Sequence, residues 1–459
     1  MHYYNSIQNL NIQQIFSVQG ESGLIRAKKT KIAFAAAALP KPRPCGIMDQ
    51  KGGRHMARRI VFHIDVNSAF LSWTSVSRLK NGESDLRTVP AVISGDPDKR
   101  TSVVLAKSVP AKKYGIKTGE PVSMARRKCP RLVTAPPDFQ LYSKYSAAFM
   151  EICRDYTPCL EKFSIDECFL DMSGTENLYP DIVKTAQEIK NRIKNELGFT
   201  VNVGVGPNKL LAKMASDFEK PDKVHTLFAE EIAAKMWPLP VSDLLFLGRA
   251  TAQKLEKISI RTIGELAAAD VETLKALVGN KAGEQLHRFA NGIDDSPVDD
   301  SPREVKSYGH SITVEENVTD LKTANSLLLS LTDAAASRMR AGGCRAYNIS
   351  VTIRNSAFKN RSHQRALDSP TDVTQDIYAV VKALFAEIWQ GEPLRLFGVT
   401  LSDLTKDGGE QISLFGSNER ADSEKLKKVD AAVDAIRNRF GDSKLLFGGA
   451  LGTKRPKKK

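Results

Sequence analysis

Three acidic residues in two short apolar segments are the strongest candidates for chemistry in this sequence. Asp166 and Glu167 are adjacent within residues 164–171 (SIDECFLD), where apolar residues flank them on both sides. This pattern predicts two short strands joined by a tight turn that displays both carboxylates at its tip. Asp65 comes near the end of residues 60–66 (IVFHIDV), an apolar run of strand length. A buried strand of this kind would deliver one acid at its carboxyl end.

Three carboxylates in one place would form a strongly anionic site that needs metal ions. Carboxylate oxygens suit Mg²⁺, and a pair of such ions activates an attacking oxygen and neutralises a leaving phosphate. We therefore expect Asp65, Asp166 and Glu167 to hold two Mg²⁺ ions. The alternative is that each acid is a solvated turn residue, which is the commoner situation for a single acid taken alone.

The two motifs together resemble those of a known enzyme family. Residues 63–70 (HIDVNSAF) and 164–167 (SIDE) are similar to the two palm motifs of Y-family translesion DNA polymerases, in the form found in the bacterial DNA polymerase IV type. The resemblance covers residues 57–415, in order and at the right spacings. It implies an α/β multidomain fold shaped like a right hand, with a palm, small fingers, a helical thumb containing helix-hairpin-helix motifs, and an α+β little finger.

The resemblance also implies an activity and a role for each motif residue. The protein would be a template-directed DNA polymerase that transfers a nucleotide from a dNTP to a primer 3′ hydroxyl, at low fidelity and across lesions. Asp65 and Asp166 would bridge both metal ions, Glu167 would hold the catalytic ion, and the Val66 carbonyl would complete the shell. Phe70 would be the steric gate that leaves no room for a ribose hydroxyl. Its alternative is an ordinary core aromatic.

Residues 102–115 resemble the family segment that covers the nucleotide, but they depart from its pattern. Val109 and Lys112 stand where the family usually places a tyrosine and an arginine on the triphosphate. A lysine keeps the charge but loses the bidentate fork of arginine. We expect Lys112 to bind the triphosphate together with Lys220, which occupies the matching position after a helix on the palm. Either Lys107 or Lys113 would compensate for the missing arginine.

The predicted elements divide the chain into four domains and two terminal segments. The palm would comprise residues 57–67 and 135–228, the fingers 68–134, the thumb 229–297 and the little finger 304–405. Residues 1–55 are expected to be a disordered extension, and 406–459 a tail. Within these domains we expect helices at 138–157, 178–197, 322–340, 372–389 and 424–440, and strands at 199–206, 306–314, 347–354 and 394–404.

Two glycine-containing turns in the predicted thumb suit contacts of backbone N–H groups with DNA phosphates. The turn at 241–251 is an imperfect helix-hairpin-helix, because Arg249 and Ala250 stand where a second glycine is expected. The other turn is at 279–283. In the little finger, six arginines would contact phosphates or simply belong to a solvated sheet face: Arg338, Arg340, Arg345, Arg354, Arg361 and Arg365.

The tail contains residues 411–415 (QISLF), which resemble the short peptide by which bacterial polymerases dock on the sliding clamp. Gln411, Leu414 and Phe415 would make the contacts, and the alternative is a strand of the little finger. The implied partners are therefore primer–template DNA, a dNTP and a bacterial sliding clamp. We expect a cytoplasmic monomer that does not enter a membrane.

Composition constrains these expectations only loosely. The net charge is +14, but residues 1–56 and the last seven residues together supply +11, so that only +3 remains for the predicted fold. Bulk charge is therefore poor evidence for DNA binding. The six cysteines show no zinc-ligand spacing, and no stretch approaches the ~20 apolar residues of a membrane span.

Two other functions fit parts of the sequence. A noncatalytic adaptor with the polymerase fold would explain the departures at Val109 and Lys112, but it would not need all three acidic residues. A nucleotidyl cyclase shares a palm-like sheet, but the predicted thumb hairpins argue against it. Because the four predicted domains use residues 57–405, they leave no room for a proofreading exonuclease, which agrees with low fidelity.

Overall fold

The described part of the chain begins just before the strand that carries Asp65. The structure, a computed structural model, describes residues 59–302, 304–406, 417–441, 445 and 448–450. The predicted extension at 1–55 and the predicted clamp peptide at 411–415 lie outside these residues. Within the described residues, no helix is both long and apolar enough to cross a bilayer.

The first strand leads into a helix and then into a small three-stranded sheet. These elements are β1 (Val61–Val66), α1 (Ala69–Lys80), β2 (Ala91–Ser94), β3 (Val104–Lys107), α2 (Val109–Lys112), α3 (Val122–Lys128) and β4 (Val133–Ala135). In the three-stranded sheet, β2 lies in the centre, antiparallel to β3 and parallel to β4. Its small apolar core includes Val92, Val104 and Ile116.

A five-stranded sheet follows, and β1 is its central strand. The elements are α4 (Phe139–Arg154), β5 (Leu160–Lys162), β6 (Glu167–Asp171), α5 (Ile182–Leu197), β7 (Val201–Gly206), α6 (Lys209–Asp217) and β8 (Val224–Thr226). The strand order is β5-β6-β1-β7-β8, and only the β7–β8 pair is parallel. The predictions of a buried first strand and of two backing helices are confirmed.

The five-stranded sheet is covered on both faces, as an all-buried strand requires. Phe62, Ile64 and Val66 of β1 belong to the core formed with α4 and α5. The alternate residues point to the opposite face, where α6 packs. Gly204 and Gly206 of β7 permit this packing, because a Cβ at Gly204 would lie 1.9 Å from the Ala212 carbonyl oxygen of α6.

The helical region after β8 contains the two predicted glycine turns. Its helices are α7 (Ile232–Lys235), α8 (Arg249–Lys257), α9 (Ile263–Ala268), α10 (Val271–Val278) and α11 (Asn280–Ala290). Gly279 has a φ of 97° between α10 and α11, a conformation that favours glycine. In the other turn, the left-handed residue is Phe246, with a φ of 64°. The position that calls for glycine is therefore Phe246, and not Arg249 or Ala250, which begin α8.

A four-stranded antiparallel sheet with two helices forms the next region. Its elements are β9 (Ser307–Val318), α12 (Leu321–Ala341), β10 (Arg345–Asn355), β11 (Asn360–Thr371), α13 (Thr374–Ile388) and β12 (Leu394–Thr405). The strand order is β11-β10-β12-β9, and α12 and α13 contribute to one apolar core. The predicted strands and helices are present, and β11 is an additional strand that the sequence did not indicate.

The last described helix, α14 (Ser417–Phe440), packs back onto this region. Arg437 is buried and its guanidinium lies 2.8 Å from the Asp333 carboxylate of α12. Arg340 reaches Asp434 at 2.8 Å and Asp430 at 3.2 Å. The helix predicted at 424–440 is therefore present, and ion pairs join it to the four-stranded sheet and its helices.

Candidate active site

Asp65, Asp166 and Glu167 are brought together by the pairing of β1 with β6. Asp65 lies directly opposite Glu167 in the antiparallel register, so that both side chains leave the same face of the sheet. The Val66 N–H donates to the Asp166 carbonyl oxygen at 3.0 Å, which fixes the turn against the end of β1.

The turn itself lies earlier than the sequence predicts. The Phe163 and Ser164 N–H groups both donate to the Glu167 carbonyl oxygen at 3.1 Å, so the hairpin closes over residues 163–166. Asp166 therefore ends the turn, whereas Glu167 is the first residue of β6. The two adjacent acids reach one site because only one of them belongs to the pleated strand.

The crowding of three buried acids perturbs their ionisation in different directions. Burial raises the pKa of Asp166 to about 7, and the charges of Asp65 and Glu167 add to this effect. Burial also raises the pKa of Asp65, against the opposing charge of Lys220. Burial would also raise the pKa of Glu167, but His63 and Lys213 outweigh this effect and lower the pKa to about 2. The site thus contains more negative charge than the protein alone neutralises.

Two residues under Glu167 were not recognised from the sequence. Lys213 of α6 lies 2.9 Å from the Glu167 carboxylate and is almost buried. The buried His63 ring lies between Ser216, 2.8 Å from Nδ1, and Glu167, 3.9 Å from Nε2. Burial lowers the pKa of His63, so the ring is neutral at pH 7. The only sequence signal for Lys213 is its spacing of four residues from Lys209, which places both on one face of α6.

Lys220 approaches the site from the segment after α6. Its ammonium forms ion pairs with Asp65 and with Asp217, the latter at 2.7 Å. Asn202 of β7 donates to the Glu219 carbonyl at 2.6 Å, and Asn67 accepts from the Asp222 N–H at 3.0 Å. These two bonds hold the backbone on both sides of Lys220 next to β1.

The three carboxylates suit a divalent cation by their chemistry and by their charge. Hard oxygen ligands are what Mg²⁺ prefers, and a cation would offset both the burial and the neighbouring charges that raise the pKa of Asp166. Across the described residues, however, no three His, Cys, Asp or Glu side chains present their donor atoms together as a metal site. Each of the three acids instead has a partner within the protein: Lys220 pairs with Asp65, Lys213 pairs with Glu167, and the Ser164 hydroxyl donates to Asp166 at 2.6 Å.

Phe70 follows β1 at the start of α1 and joins an aromatic cluster. Its ring stacks on Tyr142 with centroids 4.4 Å apart and planes inclined by 7°. The Phe139 ring meets the Phe70 ring edge-on, with centroids 6.1 Å apart. Phe70 remains partly exposed, so this packing fixes the orientation of one face and leaves part of the ring accessible.

The lysines of the segment 102–115 are arranged less tightly. The Ser108 hydroxyl accepts from the Ala111 N–H and caps α2, the short helix that ends at Lys112. Lys112 and Lys113 are exposed, as is Val109. Lys107 instead donates to the Ile116 carbonyl at 2.8 Å, so that its ammonium is used inside the segment.

Most of the arginines considered for phosphate contacts have partners within the protein. Arg338 donates to the Gly309 carbonyl, and Arg340 pairs with α14. Arg354 donates to Asn360, while Arg361 and Arg365 pair with Glu392 and Glu387. The contacts of Arg354, Arg361 and Arg365 lie on exposed or half-exposed surfaces and are of the kind that contributes little to stability. The ion pairs of Arg340 with α14 are instead largely buried.

Sequence profiles of one family match most of the chain. The impB/mucB/samB family matches residues 64–217, and its C-terminal domain matches residues 305–414. Residues 243–294, which include the Phe246 turn, match the thumb domain described for DNA polymerase-iota.

Curated relatives match over nearly their whole length. A protein named DNA polymerase IV from Clostridium acetobutylicum is 46% identical over 393 residues, which cover 84% of this chain and 97% of the relative. DNA polymerase IV from Clostridium kluyveri is 36% identical over 86% of this chain and 98% of its own. DNA polymerase IV 2 from Bacillus subtilis is 36% identical over 86% of this chain and 95% of its own.

A solved structure shares the architecture at low sequence identity. A Y-family DNA polymerase chimera of Dbh and Dpo4 matches with a TM-score of 0.67 and 22% identity, covering 76% of this chain and 100% of the chimera. At this level of identity, the match shows a common fold.

Proposed function

The chain belongs to the Y-family DNA polymerases, the impB/mucB/samB family, and we propose that it extends primers with Asp65, Asp166 and Glu167 as its catalytic carboxylates. It is a DNA-directed DNA polymerase of the translesion type, and the predicted right-hand α/β fold is confirmed. The observation that carries the proposal is the pairing of Asp65 with Glu167 beside Asp166 in a chain 46% identical to a DNA polymerase IV. None of the comparisons supports a noncatalytic adaptor.

Asp65, Asp166, Glu167 and the Val66 carbonyl would hold two Mg²⁺ ions. When bound, these ions supply the positive charge that activates the primer hydroxyl and neutralises the leaving pyrophosphate. The protein contributes a fixed geometry, because β1 and β6 hold Asp65 opposite Glu167 while Val66 holds Asp166 through its backbone. Lys213 and His63 keep Glu167 ionised at neutral pH.

The remaining residues of the site would select and orient the nucleotide. Lys112 and Lys220 would supply positive charge for the triphosphate, and Lys220 already lies at the end of β1 through its ion pair with Asp65. Phe70 stacks on Tyr142 and would present its exposed part to the sugar, where a ribose 2′ hydroxyl would clash. Steric exclusion of this kind requires a ring that cannot yield, and the Tyr142 stack provides that support.

The regions of the structure suggest how DNA would be held. We assign the palm to residues 57–67 and 135–228, the fingers to 68–134, the thumb to 229–297 and the little finger to 304–405. The turn at Gly279 presents backbone N–H groups at the start of α11, where an anion such as a phosphate is favoured. Contacts with the DNA backbone would position the duplex without reading its sequence.

Gln411, Leu414 and Phe415 would dock on a bacterial sliding clamp, although these residues lie outside the described part of the chain. Tethering to a ring around DNA raises the effective concentration at the primer end. Leu414→Ala combined with Phe415→Ala should abolish clamp stimulation of primer extension. Unassisted extension and thermal stability should stay unchanged, whereas a loss of stability would place this segment in the folded core.

We also propose a monomer in the cytoplasm. The described cysteines all carry free thiols, which is the state that a reducing compartment maintains. They are Cys129, Cys153, Cys159, Cys168 and Cys344.

Primer extension with the purified protein tests the main proposal. The full chain is incubated with a primer–template, the four dNTPs and Mg²⁺, and a parallel reaction contains excess EDTA. Extension that depends on both template and Mg²⁺ is expected. Failure to extend under any divalent ion, with primer–template binding intact, would favour the adaptor.

A further inference from the structure

We propose that Lys220 is a resident cation of the carboxylate site, which neutralises Asp65 until a divalent ion and a nucleotide arrive and then moves to the triphosphate. This inference rests on the proposed function and deepens it, because it describes how one residue of the same site changes partner. The role of Lys220 is therefore one of charge exchange as well as nucleotide binding.

The contacts of Lys220 place a positive charge where a divalent ion would bind. Its ammonium pairs with Asp65, whose carboxylate is buried and faces Glu167 across the strand pair. Asp217 accepts the same ammonium at 2.7 Å. Although burial opposes it, the charges of both acids raise the pKa of Lys220, so the side chain stays a cation.

The side chain of Lys220 can move while its backbone stays in place. Asn202 and Asn67 hydrogen-bond the backbone at Glu219 and Asp222, on either side of Lys220. Lys190 and Lys194 each lie 2.7 Å from the Asp222 carboxylate and fix it further. The Lys220 side chain is 36% exposed and rotates about four bonds. A change of rotamer alone would therefore move the Lys220 ammonium away from Asp65.

Lys213 provides a contrast within the same site. It extends from the middle of α6, its side chain is 11% exposed, and its ammonium lies over the Phe163 ring at 5.4 Å while it pairs with Glu167. Within the described residues, the Lys213 ammonium pairs with Glu167 and is largely shielded from solvent. Lys213 is thus a permanent counterion, whereas Lys220 is an exchangeable one.

Exchange has a thermodynamic consequence for the substrates. A divalent ion that approaches Asp65 in the free enzyme must displace the Lys220 ammonium, which lowers its affinity. A triphosphate gives that ammonium a new partner, so nucleotide and divalent ion should each strengthen binding of the other. The free enzyme would then hold metal weakly until a dNTP is present.

Manganese binding to the protein without DNA or nucleotide tests this proposal directly. Free Mn²⁺ is measured by electron paramagnetic resonance for the wild type, Lys220→Met and Lys223→Met. Lys223 is the matched control, because it lies in the same segment and pairs with Glu219 at 3.5 Å. Lys220→Met should bind Mn²⁺ about fivefold more tightly, the least that one unit charge at contact distance contributes in water.

The same variants must show the opposite effect on nucleotide use. In primer extension, Lys220→Met should raise the apparent KM for dNTP, while Lys223→Met leaves both measurements at the wild-type values. An unchanged or weaker Mn²⁺ affinity in Lys220→Met would overturn the proposal. Adding Asp65→Asn to Lys220→Met should remove the gain in Mn²⁺ affinity, and a gain that persists would also overturn it.

Displacement can be followed at Lys220 itself. Acetylation by an N-hydroxysuccinimide ester, read out by mass spectrometry, should label Lys220 faster when saturating Mn²⁺ is added to the free protein, with Lys223 as the internal reference. A Lys220 rate that does not respond to saturating Mn²⁺ would contradict the exchange. Neither binding measurement uses DNA or dNTP, so a protein that failed to extend primers would refute the proposed function and still leave the exchange of Lys220 open to test.

Discussion

The five-stranded sheet buries its charged side chains, whereas the three-stranded sheet and its helices leave theirs largely in solvent. Asp65 is 8% exposed and opposes Glu167 across paired strands. Lys112 and Lys113 are exposed at the end of the short helix α2. In the proposed site, the carboxylates at the reacting atoms would therefore be fixed in advance, whereas lysine contacts with the nucleotide would form when it binds.

The packing around each region explains the contrast. Strand β1 has a neighbour on each side and helices on both faces, so a side chain at its end has few alternative conformations. The three-stranded sheet has strands of only three or four residues and a small core. Preorganised charge is most effective where charge develops in the transition state. The following predictions test whether this division between the two regions holds.

The largest effect should come from the buried carboxylates. Asp166→Asn keeps the shape of the side chain but removes a proposed metal ligand, so nucleotidyl transfer should fall at least about a thousandfold, or ~4 kcal/mol at ~1.4 kcal/mol per tenfold. Single-turnover primer extension measures the rate, and primer–template affinity should be nearly unchanged. Asp155→Asn, which changes an exposed partner of Arg192, serves as the matched control. More than a tenth of the wild-type rate in Asp166→Asn would show that the site is not preorganised around this acid.

The next effect concerns Phe70, which lies between the two regions. Phe70→Ala should raise the efficiency ratio of rNTP to dNTP about 10- to 100-fold, the range expected when a pocket gains one small group of space. Phe139→Ala is a sharp control, because Phe139 belongs to the same aromatic cluster and its loss should also lower stability. An unchanged ratio in Phe70→Ala, or an equal change in both variants, would mean that Phe70 is only part of the core.

The sequence indicated the elements whose periodicity is strong. The apolar runs predicted β1 and β7, and the amphipathic spacing of apolar residues predicted α4 and α5. Strand β11 was missed because its sequence, NRSHQRALDSPT, is mostly polar and contains Pro370. It lies at the edge of the four-stranded sheet, where solvent accepts polar side chains and a proline removes no internal ladder bond.

The sequence predicted those residues of the candidate site that lie within short linear motifs. Asp65, Asp166 and Glu167 each follow or interrupt an apolar run, which a linear pattern reveals. His63 reaches Glu167 through the pairing of β1 with β6. Lys213 belongs to the site only because α6 packs directly on β7. That contact depends on the absence of a Cβ at Gly204 and Gly206, and a linear pattern does not show which helix will approach. The pairing of Lys220 with Asp65 is of the same long-range kind.

The burial and mutual repulsion of the three acids predict that the stability of the wild type, relative to Asp166→Asn, depends on pH. In the folded protein the pKa of Asp166 is raised to about 7, so ionising this carboxyl destabilises the native state as the pH rises above its ordinary value of 3.8. Asp166→Asn cannot ionise and should therefore be more stable than the wild type above pH 7 in EDTA, by roughly 1–3 kcal/mol.

Calorimetry at several pH values checks the sign of this effect. The stability advantage of Asp166→Asn should shrink as the pH falls from 7 to about 4, where the wild-type carboxyl is protonated in the folded state. Saturating Mg²⁺ should stabilise the wild type more than the variant. A variant less stable than the wild type at pH 8 would show that ionising Asp166 does not destabilise the folded protein, and the contrast with the exposed lysines would weaken.

The smallest effect should come from the exposed segment. Lys112→Ala removes one solvent-exposed charge, so the apparent KM for dNTP should rise about three- to fivefold, which corresponds to ~1 kcal/mol or less. Lys117→Ala is the matched control, since it removes the same charge from an exposed position just outside the segment. Lys112→Arg should be neutral or lower the KM, because a guanidinium offers a second hydrogen bond to a phosphate. Steady-state extension against dNTP concentration gives the KM, and DNA affinity is measured separately. If Lys112→Ala instead weakened DNA binding as much as it raised the KM, Lys112 would belong to the template groove, and the two regions would differ in their ligand as well as in their burial.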